Sequence, residues 1–188
     1  MKKRFVTAIL ATAMVLVGLF TPLTTASIIP TEQMTEVCLY DTETITFANK
    51  ISRLEKKYYL EYKSPSDLLE TCEIIKKASH NTDFDKYDVA AIVIAESRFK
   101  SDALNKKDGG VGLMQLTGIK KYHKDTLYWM TDPKDKHQNI IGGLIILEEM
   151  HAQYKTKAKA IKHYNGSTYK SELYRQKVMK IKREIIKA

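Results

Sequence analysis

Residues 90–95 read Ala-Ala-Ile-Val-Ile-Ala, six uncharged positions that lead directly into Glu96. A helix built from such a run has no polar face to give to water, so other elements must cover it on more than one side. The rest of the chain offers mostly helices for that task. Between Thr42 and Tyr62, Phe47, Ile51, Leu54 and Tyr58 recur at helical spacing and define one face. Ser64-Pro65-Ser66-Asp67 combines a cap, a first-turn proline and an early acid, which are start signals for a second helix carrying Leu68, Leu69, Cys72 and Ile75 on one side. The loop His80-Asn81-Thr82-Asp83 can cap a third, from about Phe84 to Ser97. Residues 98–112 are irregular, with Asp108-Gly109-Gly110 as the strongest turn signal, and a short helix is expected from Leu113. Asp132-Pro133 introduces a long apolar helix near His137 to Ala152. Thr156–His163 reads as another, stopped by Asn165-Gly166. The segment from Lys170 to Lys187 is amphipathic, with Leu173, Val178, Ile181 and Ile185 predicted to face inward. The fold class is mainly α, and 44% hydrophobic residues suffice for a real core.

The first residues follow a different logic. Met1-Lys2-Lys3-Arg4 is a basic n-region, Phe5 to Phe20 is apolar without a charge, and Thr24-Thr25-Ala26 offers small residues before a cut. That order predicts a signal peptide over residues 1–26, and the apolar run is shorter than a membrane-spanning helix needs. An uncleaved anchor is the alternative. Residues 27–66 then form an N-terminal helical extension and 67–188 the main domain.

Removing residues 1–26 takes away Lys2, Lys3 and Arg4 and no acid, so 31 basic residues become 28 against 22 acidic ones, a formal +6. A basic exported protein suits anionic surfaces such as cell wall or lipid headgroups, although the same lysines can simply keep a chain soluble. Export to the periplasm, cell wall or extracellular space makes nucleic acid a poor partner, and no stable membrane span is expected after signal cleavage. The two cysteines, Cys38 and Cys72, both lie in the exported part, where an oxidising compartment favours a disulfide. Such a bridge would stabilise the fold by roughly 3–4 kcal/mol in the chain-entropy view. No metal site is expected, because the five histidines form neither an HExxH nor a Cys/His cluster.

Glu96 is the residue with chemical promise. Burial at the end of an apolar helix disfavours its charged form, and the partial negative charge of a helix C-terminus acts in the same direction. A glutamate lifted from about 4.3 towards 6 can give a proton to a leaving oxygen at neutral pH. An ordinary surface glutamate at a helix end is the alternative that this stretch alone leaves open.

Further segments add weight to the first reading. Glu96-Ser97, Gly112-Leu113-Met114-Gln115, Asp132-Pro133 with Asn139-Ile140-Ile141-Gly142-Gly143, and Tyr164-Asn165-Gly166 occur in order along the chain. The arrangement resembles the lytic transglycosylase and goose-type lysozyme group, and most closely its small exported forms. The resemblance implies a lysozyme-like helical domain with a catalytic cleft and a very small β element in the loop after the catalytic helix. It implies cleavage of the β-1,4 bond between N-acetylmuramic acid and N-acetylglucosamine in peptidoglycan, without a cofactor, and closure of a 1,6-anhydro ring. It also implies association with secretion, conjugation or phage assembly machinery.

Site residues are carried over on the same basis. Glu96 is the catalytic acid and then base. Ser97 and Gln115 bond sugar or support the glutamate, Met114 forms an apolar floor or belongs to the core, and Tyr164 points its hydroxyl at Glu96. Asn165 touches substrate or holds the turn, while Gly109, Gly110 and Gly112 let backbone approach a bulky glycan. Asp102 or Asp108 facing Glu96 would instead position a water and make the protein a hydrolytic lysozyme. A third reading, from another class, is a non-catalytic peptidoglycan-binding or scaffold component of an envelope-spanning complex.

Overall fold

The computed structural model describes residues 39–166 and 168–188. The expected signal peptide and Cys38, one half of the expected disulfide, lie outside these residues. The described residues belong to one unit, Thr35–Ala188. Its helices are α1 (Thr42–Ser52), α2 (Glu55–Tyr58), α3 (Pro65–Ser79), α4 (Lys86–Glu96), α5 (Ile119–Tyr122), α6 (Lys136–Tyr154), α7 (Lys157–Tyr164) and α8 (Tyr169–Lys187). Among the described residues the only β pairing is two isolated antiparallel bridges, Leu104 with Val111 and Val111 with Leu116, in the loop after α4. The domain is therefore mainly α.

The apolar run dictates the centre. Val89 through Ile94 are all buried, and α4 packs against α8 and α3. Its start is fixed by a capping box in which Asp85 accepts from the amides of Tyr87 and Asp88, both at 2.9 Å, while the Asp88 carboxylate accepts from the Asp85 amide at 3.2 Å. Phe84, expected inside this helix, instead precedes the cap and is fully buried. The second predicted start holds as well: Ser64 accepts from the Asp67 amide at 3.1 Å and Pro65 opens α3.

Further expectations are corrected. The helix expected from Leu113 is a turn closed by the Val111–Leu116 bridge, and α5 begins only at Ile119. The single helix over 42–62 is broken after Ser52: Leu54 N bonds Ile51 O at 2.9 Å, a tighter turn, before α2 adds one more turn and ends at Tyr59 in the left-handed region. In α8 the inward stripe is Tyr174, Val178, Ile181 and Ile185, whereas Leu173 is 47% exposed. Spacing explains the shift, since steps of four, three and four from Tyr174 hold one face that Leu173 leaves by about 100°. α1 buries Phe47, Ala48 and Ile51 in the same core as α3 and α4, and Cys72 of α3 is also fully buried there.

α6 carries the loop that faces α4. Gly143 lies directly under Met114, so a side chain there would overlap the methionine and lift the loop away. The buried Asn139 fixes the same loop with three bonds. Its Oδ1 accepts from Met114 N at 2.7 Å, and its Nδ2 donates to Val111 O at 2.9 Å and Pro133 O at 2.6 Å. A fully satisfied buried amide of this kind gives a loop one registered position.

Candidate active site

Glu96 is the last residue of α4, and the chain turns sharply behind it. Ser97 caps the helix, with its amide and hydroxyl both on Val93 O at 3.0 and 3.1 Å, and Arg98 N also reaches Val93 O at 3.1 Å. Arg98 and Phe99 then adopt φ of 58° and 65°, a region that favours glycine. Burial of Phe99 anchors this turn. The helix end thus aims Glu96 out of the core but not into bulk water.

Two cavities meet at Glu96, of about 480 and 540 Å³, and both are also lined by Asn105 and Gln115. The first lobe includes Ser97, Arg98, Lys100 and Asp102. The second includes Asp108, Tyr122, His123, His163, Tyr164 and Asn165. Together they form a groove open on both sides of one carboxyl group, a shape suited to a chain-like substrate.

Burial pushes the Glu96 carboxyl up to about 7, with Asp108 acting in the same direction. The Tyr174 hydroxyl and the Lys177 ammonium, both from α8, pull the other way. Tyr174 is nearly fully buried, and its hydroxyl faces Glu96 without a hydrogen bond of good geometry to any group among the described residues. Burial, reinforced by the Glu96 charge, raises Tyr174 and Tyr164 well above the ordinary phenol range, so both stay protonated. A carboxyl whose charged form burial disfavours to this degree, with protonated phenols nearby, can both give and take a proton near neutrality.

The expected site residues fall into two groups. Ser97, Gln115, Tyr164 and Asn165 line the cavities beside Glu96. Gly112 and Met114 do not. Gly112, at φ +76°, packs so tightly that an added Cβ would overlap the Asn139 amide and stand 2.8 Å from Pro133 O. Met114 is fully buried in the core, and its carbonyl is what meets the site, accepting from the Tyr164 hydroxyl at 2.8 Å. Tyr164 therefore donates to Met114, not to Glu96. Gln115 has φ of 51°, and its amide donates to Gly112 O at 2.9 Å and Ala103 O at 3.3 Å, which leaves Oε1 for a ligand or neighbour.

Sequence reasoning missed Tyr174, and the hydrophobic stripe of α8 could have found it had the face been phased one residue later. It also missed the linking role of Asn139. Away from the cleft, donor atoms of Asp83, Glu148 and His151 lie within 4.8 Å of one another. The bonds among them, His151 Nδ1 with Asp83 at 2.7 Å and Asp83 N to Glu148 at 2.8 Å, fasten the loop before α4 to α6. None of the three lines either cavity at Glu96.

The mainly α fold and the groove at Glu96 agree with a lysozyme-like domain of the glycan-cleaving class. Residues 73–186 match the family described as Transglycosylase SLT domain, which is well over half of the chain, and the chain belongs to that family. Its chemistry is of the peptidoglycan-cleaving, lytic transglycosylase type, which acts outside the cytoplasm. No curated protein and no solved structure matched the chain. No described helix is long and apolar enough to cross a membrane.

Proposed function

We propose that this chain cleaves the β-1,4 bond between N-acetylmuramic acid and N-acetylglucosamine and releases a 1,6-anhydromuramic end. The observation that carries the reading is the carboxyl of Glu96, raised by burial to about 7 at the junction of two cavities. In its protonated form Glu96 donates to the bridging oxygen as the glycosidic bond breaks. The N-acetyl group of the muramic acid stabilises the positive charge at the anomeric carbon. Glu96, now a carboxylate, takes the proton from the same sugar's C6 hydroxyl, whose oxygen bonds the anomeric carbon and closes the ring. The proton given stays on the leaving sugar's hydroxyl, the C6 proton restores Glu96 to its acid form and no water is consumed, so one carboxyl serves both steps. No cofactor enters.

Tyr164 and Asn139 hold the Met114 carbonyl and its loop against the site. Ser97, Gln115 and Asn165 are assigned to sugar contact or to support of Glu96. Gly112 and Met114 shape the wall through packing. The chain is exported by residues 1–26, with 27–66 as an extension to a catalytic domain over 67–188, and it opens the wall locally for an envelope-spanning machine. The Cys38–Cys72 bridge belongs to this reading.

Mass spectrometry of peptidoglycan digested by purified residues 27–188 tests the assignment. Anhydromuropeptides, lighter than hydrolysis products by one water and absent with Glu96→Gln, support it; activity of that variant overturns it. One observation favours a second reading. Asp108 lines the second lobe together with Glu96, and its charge favours the protonated acid, so a water held between the two carboxyls is the alternative nucleophile. Reducing-end products lost in Asp108→Asn would make the protein a hydrolase. Retention of wall binding with no products of either kind would favour the scaffold reading.

A further inference from the structure

The bonds of Ser97 and Arg98 to Val93 O hold only part of the turn behind Glu96. Arg98 and Phe99 are consecutive side-chain-bearing residues in the left-handed region, a conformation that persists only where surroundings enforce it. Phe99 is anchored by burial, whereas Arg98, with an exposed side chain, is tied within its own turn by its amide alone. The remaining grip on Arg98, at its carbonyl and its guanidinium, comes from outside the residues that match the family. The Glu61 amide donates to Arg98 O at 2.7 Å, the Glu61 carboxylate pairs with the Arg98 guanidinium, and its other oxygen lies 3.5 Å from Lys100 Nζ. Glu61 follows the left-handed Tyr59 and the buried Leu60, so its own backbone is pinned to the core. It also lines the first lobe of the cleft together with Glu96.

We propose that Glu61 is a positioning residue: the segment after α2 forms a wall of the glycan cleft, and Glu61 clamps the strained turn that sets the direction of Glu96. The inference rests on Glu96 being the catalytic acid. Ion pairs this exposed contribute little to stability, so the expected consequence is kinetic. Loosening the turn lets the carboxyl drift from the bridging oxygen, and small displacements of a reacting group are costly in rate.

The test is steady-state kinetics on uncross-linked peptidoglycan strands, with melting temperatures alongside. Glu61→Ala is expected to lower kcat by roughly tenfold with KM changed less than about twofold, a loss of positioning and not of binding. Glu61→Gln, which keeps an acceptor for Arg98 and guards against misfolding of the alanine variant, should lose less. Adding Arg98→Gly to Glu61→Ala should recover much of kcat, because glycine takes the turn without a clamp. Unchanged kcat and KM in Glu61→Ala and Glu61→Gln, with Glu96→Gln inactive, overturns the inference alone. So does a change confined to KM, which would assign Glu61 to lobe charge, or failure of Arg98→Gly to rescue. An active Glu96→Gln would instead overturn the catalytic reading beneath it.

Discussion

The two ends of α4 treat a carboxylate in opposite ways. At the first turn, Asp88 is almost without solvent, yet Lys182 of α8 reaches it at 2.7 Å and also holds Asp85 at 2.8 Å. At the last turn, Glu96 is also largely withdrawn from water, and α8 presents it with Tyr174 and, nearby, Lys177. That ammonium spends a hydrogen bond on Ala95 O at 3.0 Å instead of pairing with the acid. Both carboxyls are raised by burial, against the pull of α8. Asp88 is committed to an ion pair that ties two helices together. Glu96 has no such commitment, so its proton can move. A buried acid thus becomes structural or reactive according to whether the facing helix supplies a direct cation or a phenol.

Exchanging or removing groups at either end tests this contrast. Glu96→Gln should cost on the order of 10²–10⁴ in turnover with little loss of stability, measured by product release and thermal melts. Asp88→Ala should do the reverse. It strands Lys182 with only Asp85 and should cost about 3 kcal/mol in denaturant unfolding, while the rate per folded molecule stays near that of the parent. A large rate loss in Asp88→Ala would break the comparison.

Charge neighbours of Glu96 should shift the pH profile in signed fashion. The first step needs the protonated acid, so activity should fall as pH rises through about 7. Asp108 favours the protonated form, so Asp108→Asn should move that alkaline limb to lower pH. Tyr174 favours the charged form, so Tyr174→Phe should move it to higher pH. Parallel shifts in both variants would show that the limb belongs to another group. The smallest effect is expected at Leu173→Ala, within about 0.5 kcal/mol of the parent, because that side chain is largely exposed.

The pair Leu173 and Tyr174 also marks what the sequence could reveal. Capping chemistry is local, so Ser64-Pro65 announced α3 correctly, and the uncharged run before Glu96 announced a central helix. Phase is less local. An amphipathic segment with apolar residues at both 173 and 174 admits two neighbouring faces, and only packing against α4 selects one. The break after Ser52 was hidden for a similar reason, since Leu54 and Tyr58 continue the spacing although the backbone between Ile51 and Leu54 tightens. At the site, Glu96 could be singled out from its surroundings in the chain. The separation of Met114's side chain from its carbonyl could not, because residue type says nothing about which part of a residue faces a cavity. The hold of Glu61 on Arg98 joins segments with no shared pattern and becomes visible only in three dimensions.

The dependence of Glu96 on α8 has a bearing on how the protein is made. Lys177 lies 82 positions beyond Ala95, the residue it touches beside the acid. Synthesis runs in one direction, so α4 emerges long before the helix that surrounds its last turn with Tyr174 and Lys177. Until α8 docks, the end of α4 lacks part of the burial that raises the Glu96 carboxyl, so completion of the groove around that residue waits on the last helix made.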